Sequence, residues 1–114
     1  MLFKQNRLRL KRDFEKVFKQ GKGLKLGCLF LKAINNNLAD SRFGFSVGLK
    51  VSPKAVVRNK TRRRLREVVR LLTPKIKPGY DIVVVASPEA KDKDYQTIKE
   101  TVAIILQKAG LLNQ

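Results

Sequence analysis

The chain has 114 residues, 43% of them hydrophobic, and its 26 Lys and Arg against 9 Asp and Glu give a formal net charge of +17. This composition predicts one folded basic domain over residues 1–114 rather than a disordered tail, and a polyanion is the expected partner. The absence of histidine and the single cysteine exclude His-based catalysis and a Cys/His zinc cluster, and without a long apolar run or signal peptide we expect a cytoplasmic protein.

The first predicted element is a short helix near the start of the chain. Phe14, Val17 and Phe18 recur at the spacing of one helical face, which predicts a helix over residues 12–20 that the following glycines end. Two phenylalanines in so short a helix leave two possibilities open. Both rings pack in the core, or one stays exposed and can stack on the bases of a single-stranded nucleic acid.

Two predicted strands follow this helix. Residues 26–34 are apolar and end at an Asn-rich turn, and residues 42–49 alternate between apolar and small or polar residues. We expect the two strands to form an antiparallel pair. Gly44 and Gly48 lie on the polar face of the second strand and indicate that another backbone, a helix or a ligand approaches closely there.

A long basic helix is the largest predicted element. We expect Ser52 to be its N-cap, Pro53 its first residue and Leu72 its end. At 100° per residue, one arc of the helix is apolar and predicted to face the core: Val57, Thr61, Leu65, Val68, Leu71 and Leu72. Arg64 projects into this arc, so we expect it at the edge of the packed face.

The last two predicted elements are a strand and a helix. Residues 80–86 are continuously apolar after the first two, which suits a central strand, and Asp94 is the predicted N-cap of a helix that ends at Gly110. The resulting order α-β-β-α-β-α predicts an α/β two-layer sandwich, with one sheet and helices packed on it.

The basic helix carries the clearest functional signal. Four arginines recur every four residues and form a ladder about 18 Å long: Arg58, Arg62, Arg66 and Arg70. A solubility surface would mix charges of both signs, and like charges four residues apart destabilise a helix. We therefore interpret this face as a phosphate-binding surface on which Asn59 can meet sugar hydroxyls or base edges.

Three acids close together offer an alternative chemistry. Glu89, Asp92 and Asp94 could in principle hold a metal ion, as in a small metal-dependent nuclease. Lysines interleave with them, however, and they precede a predicted helix start, where the helix dipole favours acidic residues.

Two segments resemble the protein subunits of bacterial ribonuclease P. The stretch KAVVRNKTRRRLRE is similar to the arginine-asparagine-arginine signature helix of that family, and LKRDFEKVFKQG is similar to its N-terminal helix with two phenylalanines four residues apart. The resemblance extends to the order and size of the elements.

The resemblance implies both a fold and a function. The fold is of the ribosomal-S5-domain-2-like type, with a left-handed βαβ crossover through the signature helix, against the usual right-handed rule. The function is that of a non-catalytic subunit of ribonuclease P, which assists a catalytic RNA in removing the 5′ leader from precursor tRNA. The RNA carries out the phosphodiester hydrolysis with Mg²⁺ bound mainly to that RNA.

The resemblance also assigns two sets of site residues. The residues expected to contact ribonuclease P RNA are Arg58, Asn59, Lys60, Arg62, Arg63, Arg66 and, at the end of the arginine ladder, Arg70. The residues expected to contact the precursor tRNA leader are Phe14, Phe18, Lys11, Arg12, Lys16, Arg42 and Ser46. No catalytic residue and no metal ligand is assigned to the chain.

The chain departs from the family pattern at three positions. Lys60 stands where the signature has its second arginine and keeps the charge without bidentate geometry, Pro53 replaces a frequent glycine, and Lys32 replaces a possible aromatic stacking residue. Charge and size alone would also fit a ribosomal or RNA-chaperone module.

Overall fold

The computed structural model describes residues 4–113, which form three α-helices and one four-stranded sheet. The elements in chain order are α1 (Lys11–Gln20), β1 (Lys22–Leu26), β2 (Leu29–Asn35), β3 (Arg42–Ser46), α2 (Ala55–Leu72), β4 (Tyr80–Ala86) and α3 (Tyr95–Lys108). The mixed α/β class and the three predicted helices are confirmed.

The sheet has one strand more than the sequence predicted. Residues 26–34 were expected to be one strand, but Gly27 has a φ of +55° and turns the chain between β1 and β2. The observed order is therefore α-β-β-β-α-β-α. Because an apolar run shows no periodicity, the hydrophobic pattern did not indicate the turn at Gly27.

The predicted pairing of the two strands before α2 is wrong. The strand order is β1-β2-β4-β3, so β4 lies between β2 and β3, antiparallel to the first and parallel to the second. The physical reason is the burial of β4, whose valines need neighbours on both sides and both faces. The strands β3 and β4 with α2 form a βαβ unit, while the hand of its crossover stays a prediction.

The main core lies between one face of the sheet and the helices α2 and α3. Leu65 and Val68 of α2 are buried there as predicted, together with Val69, which the predicted arc omitted. Leu71 is 45% exposed, contrary to the prediction, because the inward arc of the observed helix is centred closer to Val69. The predicted N-cap Asp94 accepts a hydrogen bond from the Thr97 N–H at 2.8 Å, which confirms the start of α3.

The start of α2 differs from its prediction. The helix begins at Ala55, and Lys54 is its N-cap residue. Ser52 is buried, and its hydroxyl accepts a hydrogen bond from the Lys54 N–H at 3.1 Å, so it closes a turn before the helix instead of capping it. Pro53 therefore lies outside the helix.

Helix α1 packs on the opposite face of the sheet, above a smaller apolar cluster of Leu8, Val17 and Val83. The phenyl ring of Phe14 lies directly over Gly44, where a Cβ atom would come within 2.4 Å of the ring. The expected close approach is confirmed at Gly44. At Gly48 it is wrong, because a Cβ atom there would meet nothing within 4 Å.

An ion-pair network ties α1 to the sheet. The Arg42 guanidinium donates to both carboxylate oxygens of Asp81, at 2.8 and 2.7 Å, and Asn36 donates to the same carboxylate at 2.8 Å. The Arg42 Nη1 atom also lies 3.6 Å from an oxygen of Asp13 in α1. The hydrogen bonds to Asp81 raise the pKa of Arg42, so this cation stays charged and holds the first turn of α1 over β3 and β4.

Candidate nucleic-acid interface

The outward face of α2 carries all the residues that the sequence assigned to ribonuclease P RNA. Because Leu65 and Val68 point into the core, the basic side chains of the helix lie on its remaining surface. Asn59, Lys60 and Arg63 are exposed, and the four arginines of the ladder are half-buried at the flanks. The geometry therefore places one continuous cationic surface along 18 residues of helix.

Neutral oxygens orient two of these arginines without cancelling their charge. Arg58 donates to the Ser52 carbonyl at 3.0 Å. Arg62 donates to the Asn59 amide oxygen at 2.7 Å and to the Val47 carbonyl at 3.3 Å. Both guanidinium groups keep further N–H donors, so they are positioned for an anion.

Arg70 differs from the other arginines of α2 because it has an acidic partner. Its guanidinium donates to both oxygens of Glu67, at 3.1 and 2.6 Å. This pair lowers the pKa of Glu67 and raises that of Arg70. By contrast, Arg63 and Arg66 make no hydrogen bond or ion pair with any residue from 4 to 113.

Arg64 lies where the sequence analysis expected it, at the edge of the packed face. Its guanidinium donates to the Lys93 carbonyl at 2.8 Å, which links α2 to the segment before α3. This arginine is therefore part of the packing between the two helices and separate from the outward cationic surface.

The two phenylalanines of α1 have different environments. Phe14 is half-buried above Gly44, whereas Phe18 is 40% exposed on the same flank of the helix. Of the two possibilities that the sequence left open, the structure shows the second, in which one ring, that of Phe18, stays exposed. Phe18 lies in the last turn of α1, on the face of the sheet that α1 covers.

A row of side chains across the sheet forms the floor beside Phe18. The strand registers align Ser46 with Val85, Val85 with Phe30, and Phe30 with Lys25, so these four side chains share one face. Lys32, in the neighbouring row, donates to the Phe18 carbonyl at 2.6 Å and so binds the last turn of α1. We call the surface formed by Phe18 and this row the Phe18 groove.

Phe30 is a candidate site residue that the sequence analysis missed. It is half-buried, and its ring lies 2.8 Å from where a Cβ atom on Gly23 would be. The signal was present in the alternation of Phe30 and Lys32 with the buried Leu29 and Leu31. Because residues 26–34 were interpreted as one apolar strand, this alternation was not recognised.

The remaining residues that were predicted to contact the leader lie in different parts of the structure. Lys11 is exposed on the Phe18 side of α1, with a loose ion pair of 3.9 Å to Glu15, and Arg12 is exposed on its outer surface. Arg42 lies beneath α1 with its side chain 25% exposed and engaged by Asp81. Lys16 lies on the opposite flank of the helix and lines another groove.

A further groove links the two helices along the outer edge of β3. It has a volume of about 350 Å³, and its lining includes Arg7, Arg9, Phe14, Phe45, Arg62 and Arg66. The cationic surface of α2 and the first turn of α1 therefore meet at this edge. Phe18, at the far end of α1, does not line the groove.

Neither a membrane span nor a metal cluster is found in the described part of the chain. Between residues 4 and 113 no helix is long and apolar enough to cross a membrane. Within the same range no three His, Cys, Asp or Glu side chains come together as a metal site. Asp94 of the acidic segment caps α3, and Glu89 accepts a hydrogen bond from Ser87 at 3.0 Å.

Comparison with known proteins gives a consistent family. The family model described as Ribonuclease P matches residues 2–110. The chain is 37% identical to the "Ribonuclease P protein component" of Synechocystis sp., over 93% of this chain and 88% of that protein. It is 39% identical to the protein of the same name from Clostridium botulinum strain 657, over 96% and 99% respectively.

A solved structure agrees with the sequence comparisons. The RNase P protein of Staphylococcus aureus superposes with a TM-score of 0.87 at 29% sequence identity, covering 95% of this chain and 98% of that chain. The likeness therefore covers the whole arrangement of sheet and helices and not one motif alone.

Proposed function

Because the chain belongs to the ribonuclease P protein family, whose bacterial members assist an RNA subunit in processing precursor tRNA, we propose that it uses two surfaces for two RNA contacts. The outward face of α2 binds ribonuclease P RNA, and the Phe18 groove binds the single-stranded 5′ leader of precursor tRNA.

The uncompensated charge of α2 is the observation that carries the first contact. Arg58 and Arg62 are oriented by neutral oxygens, and Arg63 and Arg66 have no partner between residues 4 and 113. Such a surface gains free energy by releasing the counterions condensed on a polyanion. Lys60 and Asn59 add a point charge and an amide to the same face, whereas Arg70 contributes less because Glu67 already pairs with it.

The exposed ring of Phe18 supports the second contact. Unpaired bases have π faces, and stacking on an aromatic side chain contributes about 1–3 kcal/mol per base. Phe30 offers a second ring on the floor, Ser46 a hydroxyl, and Lys11 an ammonium group on the same side of α1. A leader that runs through the groove meets π faces below and beside it and a cation at its rim.

Phosphodiester hydrolysis belongs, in this proposal, to the RNA subunit. The chain has no histidine for acid–base catalysis, and its site residues are suited to binding phosphates and bases. Magnesium ions held mainly by that RNA supply the metal chemistry. The protein contributes affinity and position, and the assembly works on precursor tRNA in the cytoplasm.

Cleavage of precursor tRNA at limiting magnesium tests this function. A bacterial ribonuclease P RNA is assayed with and without the protein, and the protein alone serves as the control. We expect stimulation only when RNA and protein are both present. Cleavage by the protein alone, or binding to the RNA with no stimulation, would contradict the proposal, and the second result would indicate a ribosomal or chaperone role.

A further inference from the structure

A second groove lies on the flank of α1 that faces away from Phe18. It has a volume of about 470 Å³, and its lining residues are Lys16, Gln20, Lys22, Ala33, Ile34, Asn35 and Tyr80. Lys16 and Phe18 are two residues apart, which places them about 160° apart around the helix axis. The two grooves are therefore separated by the body of α1.

The second groove continues around the end of the sheet towards α3. An adjoining groove of about 300 Å³ shares Lys22, Ala33 and Tyr80 with it and adds Lys108 from the end of α3. Leu24, Leu31 and Leu111 form an apolar wall of this part. We call the combined space the Tyr80 channel.

The charge of the Tyr80 channel is entirely positive. Lys16, Lys22 and Lys108 form no hydrogen bond or ion pair with any residue from 4 to 113, and none of the described lining residues is acidic. The half-buried ring of Tyr80 lies where the two parts join, between the lysines of α1 and α3. Cations along a track with an aromatic ring between them suit the phosphates and a base of single-stranded RNA.

The amide side chains of the channel add hydrogen-bonding capacity. Gln20 and Asn35 both line it. The Asn35 amide oxygen accepts a hydrogen bond from the Asn37 N–H at 2.9 Å, which leaves its NH₂ group as a donor, and the Gln20 amide offers a donor and an acceptor for the edges of unpaired bases. A duplex would not present those edges to a groove of this kind, because its bases are paired and stacked. The channel therefore suits a single strand better than a duplex.

The position of the channel points to the precursor tRNA leader. In the sheet order β1-β2-β4-β3, the channel lies at the β1 and β2 side, while the groove lined by Arg62 and Arg66 lies at the outer edge of β3. At the end of α1, Gly21 alone lies between the last helical residue and Lys22 of the channel. A strand that passes Phe18 towards this end reaches the channel next.

We propose that the Tyr80 channel binds the upstream part of the 5′ leader, beyond the nucleotides held in the Phe18 groove. The proposal rests on the proposed function of the Phe18 groove. Lys16 and Lys22 contact backbone phosphates, and the ring of Tyr80 stacks on a base. Short leaders end in the Phe18 groove, and longer leaders gain affinity from the channel.

Leader-length dependence tests the channel in the assembled holoenzyme. The double variant K16A/K22A is compared with the wild type on precursor tRNAs whose leaders grow one nucleotide at a time. We expect equal affinity for short leaders, a loss for long leaders, and a salt dependence for long leaders that is flatter by about 1.4 in log-log slope for two lost phosphate contacts. The matched control, K91A/K99A, removes the same charge from exposed positions near α3 and is expected to keep full length dependence.

Three results would overturn the proposal. These are unchanged affinity of the double variant for every leader, an equal loss for leaders of every length, and weakened binding of ribonuclease P RNA without loss for long leaders. The last result would make that RNA the occupant. The variant Phe18→Ala tests the Phe18 groove separately. If that groove does not bind the leader, Phe18→Ala has no effect on the affinity for any leader. The comparison of K16A/K22A with the wild type still tests the channel in that case.

Photocrosslinking tests the channel without altering the protein. A 4-thiouridine is placed at each leader position in turn, in complex with the wild-type holoenzyme. We expect upstream positions to crosslink to peptides that contain Lys22 or Tyr80. Crosslinks from those positions to α2 alone would overturn the proposal.

Discussion

The two helices that face RNA in this proposal differ in how the rest of the molecule holds them. Helix α2 buries Leu65, Val68 and Val69 in the main core, so its cationic side chains project from a well-packed helix. Helix α1 rests on the small cluster around Val17 and on the ion pairs of Arg42. The position of α2 is therefore set mainly by apolar burial, and that of α1 depends strongly on a polar network.

The chemistry of the two faces differs in the same way. The α2 face is rich in guanidinium groups and presents no exposed aromatic ring, which suits phosphates of a folded RNA whatever its bases. The α1 flank presents Phe18 above a floor with Phe30, which suits unpaired bases. A net charge of +17 therefore predicts a polyanionic binding partner, but it does not distinguish one RNA contact from another.

The largest expected effect comes from breaking the network that holds α1. Arg42→Met leaves the Asp81 carboxylate, 6% exposed, without its cation. Removing one partner of a buried ion pair costs about 3–5 kcal/mol, and we expect a loss near the lower end because Arg42 is partly exposed. Urea unfolding measures the loss, and leader affinity is expected to fall with it. Arg12→Met, an exposed position on α1, is the control, and equal stability of the two variants would show that the network does not hold α1.

The next largest effect concerns the cationic surface of α2. In the double variant R62A/R66A, we expect weaker assembly with ribonuclease P RNA and a salt dependence flatter by about 1.4–1.8 in log-log slope, for two lost phosphate contacts. Arg70→Ala is the matched variant, and its smaller expected effect follows from the pairing with Glu67. Titration of the RNA at several salt concentrations measures both. An Arg70 effect as large as that of Arg66→Ala alone would contradict this distinction.

The third prediction concerns the two aromatic rings of the Phe18 groove. Phe18→Ala and Phe30→Ala are each expected to weaken binding of leader-bearing precursor tRNA by about 1–3 kcal/mol, because each removes a stacking surface. Affinity of the holoenzyme for substrates with and without a leader measures the effect. Tyr95→Ala removes an exposed ring from α3 and is the control. A loss that is the same without a leader would contradict the assignment.

The smallest prediction concerns the N-terminus of α3, which lies outside both the α2 surface and the Phe18 groove. Asp94→Ala removes an N-cap and is expected to lower the free energy of unfolding slightly, with no change in either RNA affinity. The hydrogen bond from the Thr97 N–H lowers the pKa of Asp94. Its contribution is therefore present above the ordinary Asp value of about 3.9 and is lost as pH falls through the lower folded-state pKa. Urea unfolding across acidic pH measures this, and a cap contribution that grows towards acid pH would contradict the sign.

The sequence predicted both ends of α3, because local hydrogen bonding and backbone conformation determine them. Asp94 and Gly110 mark the two ends of α3 as expected, with an N-cap hydrogen bond and a φ of +74°. The basic face of α2 followed from helical periodicity alone. The turn at Gly27 was hidden in an apolar run, and the place of β4 between β2 and β3 is a tertiary choice that no local pattern encodes.

The sequence predicted which element carries each candidate site residue, but not which of these residues lie beside one another. Arg42 was expected to face the leader, and only the strand register shows that Asp81 lies beside it in the sheet. The resemblance placed Lys16 beside the cleft of Phe14 and Phe18. The helical period places Lys16 on another flank of α1 from Phe18, so its expected contact with the leader lies on that other flank.

Two affinities, each measured on two single variants, test whether the α2 surface and the Phe18 groove act separately. The variants are Arg66→Ala and Phe18→Ala, and the affinities are those of the protein for ribonuclease P RNA and of the holoenzyme for leader-bearing precursor tRNA. We expect Arg66→Ala to weaken the first affinity and Phe18→Ala to weaken the second, each with little effect on the other. Equal losses of both affinities in both variants would contradict the separation of the two surfaces.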